Sequence, residues 1–192
     1  METRNISLSV VKLQQKVGEI VAEYKYKKGD IVMYKRDVCR VVRIGESDYT
    51  GEKCYILVPT ARPDGSIKMQ VPVSNKSGHL RDLITRDEIR ELIRKTPDVE
   101  TLVSKPANMK SQYAALMHSD DVLDLVRIIK TSYERNQERI ASHKKLASID
   151  DEYLRRAEKC LYNEISASTG MSFDESKEYF ESEVKKEEAG RS

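Results

Sequence analysis

The side chains able to do chemistry are few and far apart. Three histidines, His79, His118 and His143, fall in unrelated stretches. Cys39, Cys54 and Cys160 show no Cys-x-x-Cys spacing and no Cys/His ligand pattern. No glycine-rich phosphate loop, Gly-x-Ser-x-Gly or His-Glu-x-x-His run occurs. Carboxylates are plentiful, but they fall on helical patterns where a solvated face accounts for them. A catalytic centre needs convergent polar groups in a concave site, and no spacing here suggests one. The expectation is a protein that is not an enzyme, with no cofactor, no metal site and no small-molecule substrate. Cys39 and Cys54 lie in apolar runs and are expected to pack as small hydrophobes. An odd number of distant cysteines fits a reducing, cytoplasmic setting.

What remains is recognition by charge. The 192 residues carry a net charge of only +2, although 34% are charged. The balance is uneven. Residues 26–84 hold 11 Lys/Arg against 7 Asp/Glu, residues 85–150 hold 12 against 11, and residues 151–192 hold 7 against 11. A phosphate-facing surface must therefore be a local patch, turned away from the acidic C-terminal part. No run of roughly eighteen apolar residues is present, so no membrane span is expected. A signal-peptide pattern is also lacking.

These residues must be positioned by two kinds of element. From Tyr26 to Ile84, β-branched and aromatic runs alternate with turn clusters. Strands are expected over 30–35, 38–45, 53–59, 66–73 and 79–83, in a small, strongly bent antiparallel sheet. Ile67, Met69 and Val71 alternate with Lys68 and Gln70, the mark of a half-buried strand. Asp64-Gly65 is a hairpin turn signal. From Thr85 the pattern is helical. Thr85 and Glu88 form a capping box, and Thr96-Pro97 closes that helix. A short helix is expected over 106–119. Ser119 is expected to cap a long one reaching about Lys145, with Tyr133 and Ile140 on its apolar stripe. A further helix starts near Ser148 and stops at Gly170, and Ser172 opens the last, followed by a charged tail.

The fold class is thus α+β. A small Tudor- or SH3-like antiparallel β-barrel precedes an all-α helical bundle. The division is 1–25 as an N-terminal extension with a loosely apolar helical stripe, 26–84 as the barrel, 85–105 as helix and linker, 106–187 as the helical domain, and 188–192 as tail.

Tyr26-Lys27-Lys28-Gly29-Asp30-Ile31-Val32-Met33-Tyr34, Tyr55-Ile56-Leu57-Val58 and Val71-Pro72-Val73 resemble the first domain of the CarD family of bacterial transcription regulators. Pro106-Ala107-Asn108-Met109, then 133–139 and 146–165, are similar to that family's helical domain. The resemblance covers about 26–165 and lies in ordered succession, with no single decisive motif. It implies that the β module binds the β subunit of bacterial RNA polymerase, with strand-edge pairing as a mode. It also implies that the helical module reaches promoter DNA at the upstream edge of the transcription bubble and stabilises the open complex. Two departures stand out. Lys35-Arg36-Asp37 replaces the family's Pro-x-His-Gly turn, and Met109 stands where many members carry a tryptophan wedge.

Methionine can serve as an apolar wedge against unstacked bases. Base stacking on an aromatic is worth roughly 1–3 kcal/mol, and methionine would give less. Met109 is either such a weaker wedge or a core residue. Lys110, Arg127, Lys130, Arg135 and Arg139 are the cations expected to meet phosphates beside it, along with Lys144 and Lys145. Intrahelical pairing with neighbouring glutamates is the alternative for each. For the polymerase face the residues are Arg43, Ile44, Lys68 and Gln70, against the alternative of a plain solvated strand face. Two functional classes follow: a regulator that tethers promoter DNA to polymerase, and a protein-interaction adaptor on polymerase without direct DNA contact.

Overall fold

The computed structural model describes residues 24–103 and 105–191. The expected helical extension, 1–25, lies almost wholly outside them. The fold is α+β, an antiparallel sheet followed by helices.

The sheet comprises β1 (Ile31–Tyr34), β2 (Asp37–Glu46), β3 (Lys53–Pro59), β4 (Met69–Pro72) and β5 (Leu80–Arg81), in the order β4-β3-β2-β1-β5. It is open, not the closed barrel expected, because β4 and β5 do not pair. The connection between them spends its residues on turns at Asn75 (φ 43°) and Gly78 (φ 72°). The Asn75 amide then does the work of a neighbouring strand. Its Nδ2 donates to Leu80 O at 2.7 Å, and Leu80 N donates to its Oδ1 at 3.2 Å. Pro72 sits on the other edge strand, where its missing N–H does least harm.

Alternation makes one face a core. Cys39, Val41, Tyr55, Leu57 and Val71 point inward with Val32 and Leu80. Tyr26 and Tyr55 meet edge to face, 5.5 Å between centroids. β4 begins at Met69, three residues later than expected. The Asp64 carboxylate accepts from Ser66 N and Oγ, and Gly65 takes φ 72°, so the segment before Met69 is held in turns.

The α-helices among the described residues are α1 (Arg86–Lys95), α2 (Pro106–His118), α3 (Val122–Ala141), α4 (Ser148–Thr169) and α5 (Phe173–Gly190). The Thr85–Glu88 capping box is present, as is a second between Ser172 and Glu175. Gly170 ends α4 in the left-handed region, φ 83°. α1 contributes Ile89, Leu92 and Ile93 to the same core as α2–α5, so the helical unit begins at Thr85 and not at Pro106. α5 runs through Gly190 and takes in the first residues of the expected tail, 188–190.

Two boundaries of α3 differ from expectation for local reasons. Ser119 Oγ accepts from Asp121 N, and Asp121 itself caps the helix by accepting from Leu123 N. At the far end His143 adopts φ 53°. Its N–H reaches Ile140 O and the Lys144 N–H reaches Arg139 O, a Schellman closure made without glycine. The buried face of α3 also turns polar halfway along. Leu125, Val126 and Ile128 give way to Thr131, Ser132 and Asn136. Tyr133 and Ile140 are 58% and 54% exposed and do not extend the apolar stripe as expected.

Candidate functional site

The outer face of the sheet is built by a β-bulge. Val41 faces Leu57 and Arg43 faces Ile56, so Val42 is an extra residue between them. Without it Arg43 would share Val41's inward direction. With it Arg43 turns outward and Ile44 turns inward, opposite Tyr55 and against the core. Arg43 and Ile44 are therefore on opposite faces, and the expectation that Ile44 belongs to an exposed binding face is corrected.

Arg40, Val42, Arg43 and Lys68 ring a shallow depression of about 410 Å³ over Ile56 and Val58. Arg43 and Lys68 thus share one surface, as expected. Gln70 pairs with Ile56 across β3 and β4, but its side chain is committed elsewhere. Its Nε2 donates to Asp48 Oδ2 at 2.5 Å and its Oε1 accepts from Asp48 N at 3.0 Å. Gln70 pins the β2–β3 loop and does not offer a free amide to a partner. Arg40 belongs to this surface and was not anticipated. Its signal was the period of two with Val38 and Val42, which only the bulge position could resolve.

The helical candidates fare differently. Met109 is completely buried in the helical core, so it presents no wedge. The reason lies in α2, where Met109 and Tyr113, one turn apart, form the buried face. Tyr113 packs on Tyr153, centroids 5.1 Å apart, and its hydroxyl donates to Asp150 Oδ1 at 2.9 Å. Burial and this acceptor push the Tyr113 hydroxyl pKa up to about 12.

Most of the expected phosphate-binding cations serve the fold. Arg135 Nε donates to both oxygens of buried Asp150, at 3.1 and 3.2 Å. Lys130 Nζ donates to Pro97 O and Val99 O, at 2.8 and 2.9 Å, and so fastens the α1–α2 connection. Arg139 Nε reaches Lys145 O at 2.8 Å and braces the α3–α4 turn. Arg127 lies 3.8 Å from Asp124 on its own helix. Of the five, Lys110 alone is exposed, and Lys144 and Lys145 at the α3–α4 turn are exposed as well. The expected row is thus reduced to two separate points of charge.

The junction between sheet and helices is tightly made. Arg36, in the β1–β2 turn after Lys35 (φ 55°), donates to Leu116 O, Met117 O and Asp121 O at 3.2, 3.4 and 3.0 Å. A cation at the end of α2 suits the negative pole of that helix. Arg81 on β5 pairs with Glu164 of α4 through two bonds of 2.5 and 2.9 Å, and Glu164 also accepts from Ile84 N at 3.0 Å. Glu164 is 1% exposed. Arg86 donates to Thr169 O at 3.0 Å, and His79 Nδ1 lies 3.1 Å from Asp120 Oδ2. Position alone could not have pointed to Arg36 or Glu164, since neither lies in a motif.

No helix among the described residues is long and apolar enough to cross a membrane. Among them, no group of three or more His, Cys, Asp and Glu is arranged to hold a metal ion. Cys39 and Cys54 are buried, and burial pushes the Cys39 thiol up to about 12. No protein-family model matches the chain, and no curated protein matches it.

Proposed function

We propose that the chain is a CarD-like transcription regulator, a rigid bridge whose sheet binds the β subunit of bacterial RNA polymerase and whose helical unit lies against promoter DNA at the upstream edge of the bubble. In this reading the bent, open sheet is a Tudor-like module. Its outer face, with Arg40, Arg43 and Lys68 around an apolar floor, meets acidic groups on polymerase. Face-on docking suits it better than strand addition, because Asn75 already occupies the Leu80 backbone groups and β4 carries Pro72.

The observation that carries the reading is the junction. A tether transmits position only if its two ends are fixed relative to one another. Arg36 and the Arg81–Glu164 pair join the sheet to α2 and α4 through side chains anchored on both sides. Weak cationic points then suffice on the DNA side, because anchoring on polymerase raises the local concentration. Lys110, Lys144 and Lys145 fill that role, and the contact is to phosphates without a wedge.

The burial of Met109 favours a second reading, an adaptor on polymerase with no DNA contact. Photocrosslinking from positions 110 and 144 of the full chain, in a polymerase–promoter complex, separates the two. Crosslinks to the DNA backbone support the bridge. Crosslinks to protein only, with the complex intact, support the adaptor and overturn the DNA part of the proposal.

A further inference from the structure

Where the sheet's end faces the helices lies a cleft of about 920 Å³, separate from the outer-face depression except at the Pro59–Thr60 rim. One wall is the end of the sheet, with Lys35 of the β1–β2 turn and Arg62 and Ile67 of the β3–β4 connection. The other wall is a stripe of α4. Arg156, Lys159, Cys160 and Asn163 recur there at helical spacing. Met117 and His118 close the cleft from the end of α2.

Its charge is one-sided. Arg36 stands in the wall with the four exposed cations Lys35, Arg62, Arg156 and Lys159, and Asp37 is the one carboxylate of the lining among the described residues. Arg156 is paired with Glu152 at 3.4 Å, outside the lining. No carboxylate among the described residues lies within ion-pair distance of Arg62 or Lys159. In a chain whose other exposed cations so often meet an acid one helical turn away, this leaves a net positive trough. A concave wall of one sign focuses its field.

We infer that this cleft docks an acidic peptide segment of a partner protein, with glutamate or aspartate side chains alternating with aliphatic ones. Charge complementarity selects the acids. Ile67, Met69 and Met117 supply apolar and adaptable contacts for the residues between them. A compact phosphate ligand fits less well. Phosphates favour helix N-termini and converging backbone N–H groups. Here α2 presents its C-terminal end, α4 its middle, and the cations stand apart on two walls. The inference does not rest on the polymerase reading, which concerns the sheet's outer face.

The test uses the full chain and a blocked fluorescent peptide of alternating glutamate and leucine, read by anisotropy and by amide chemical shifts. Saturable binding is expected, with shifts over 61–68 and 156–163. The pair Arg62→Glu with Lys159→Glu should weaken it about tenfold. Both side chains are exposed, so the fold should hold, and an unchanged circular dichroism spectrum confirms it. Lys76→Glu, on the far β4–β5 connection, should leave affinity unchanged. The inference is overturned by any of four results: no saturable binding, equal binding of the matching lysine–leucine peptide, unaltered affinity in the folded double variant, or displacement of the peptide by pyrophosphate or duplex DNA at lower concentration.

Discussion

The Arg81–Glu164 pair gives the sharpest energetic test of the junction. Glu164 is withdrawn from water and receives three N–H donors, two from Arg81 and one from Ile84. In Arg81→Met the carboxylate keeps only the Ile84 N–H. A buried charge stripped of its partner costs about 3–5 kcal/mol. Arg81 is 26% exposed, so in Glu164→Gln its guanidinium can turn to water, and the loss should be smaller, about 1–3 kcal/mol. Replacing both, as Arg81→Met with Glu164→Gln, removes both charges together and keeps a side-chain oxygen to accept the Ile84 N–H. That double variant should be clearly more stable than the two single losses added together, giving a coupling energy of about 2 kcal/mol or more. Urea unfolding followed by circular dichroism reads all four proteins. Single variants that each cost under about 0.5 kcal/mol, or a strictly additive double variant, would refute the view that this pair locks sheet to helices.

Other perturbations follow from the same geometry. Met109→Ala should destabilise the chain by about 2–5 kcal/mol as a cavity in the helical core, and Met109→Trp should destabilise it by overpacking; thermal unfolding checks both, and full stability in the Trp variant would place the side chain at the surface after all. His143→Gly should stabilise by about 0.5–1 kcal/mol, since glycine takes the left-handed closure of α3 without strain; a lower melting temperature would contradict the Schellman geometry. The Glu88 carboxyl is held below its ordinary range chiefly by the Thr85 N–H, then by the Thr85 hydroxyl. Its support of α1 is therefore full above the ordinary glutamate range and is lost as pH falls through the lower folded value. In an acid titration followed by circular dichroism, Glu88→Gln should flatten that part of the stability profile; an unaltered profile would mean the capping box contributes nothing.

Much of the architecture was legible because local chemistry and tertiary packing agree. Thr85–Glu88 and Ser172–Glu175 mark helix starts through side chains that satisfy neighbouring backbone groups, and Gly170 marks a helix end by taking the left-handed region freely, which a sequence displays directly. The end of α3 was not legible, because His143 takes a conformation that sequence reserves for glycine or asparagine. The outer face of the sheet was only half legible. A single bulge at Val42 reverses every later side chain on β2, and nothing in the run of valines marks it. The helical cations were misread for another reason. Arg135, Lys130 and Arg139 look solvent-facing by spacing, yet each finds an acceptor from a segment distant in sequence or across a turn. Such partners depend on how α3 lies against α4 and the α1–α2 connection, and composition does not carry that information. Met109 went to the core because Tyr113, one turn on, fixes which side of α2 is buried.

The claim that matters most is that the sheet's outer face grips polymerase. Its direct measurement is the affinity of the full chain for the purified β subunit of bacterial RNA polymerase, wild type against Arg43→Glu with Lys68→Glu. Specific binding weakened at least about tenfold by the double charge reversal, with unchanged folding stability, is the expected result. Absence of binding by the wild type, or equal affinity in the reversed variant, would contradict the account.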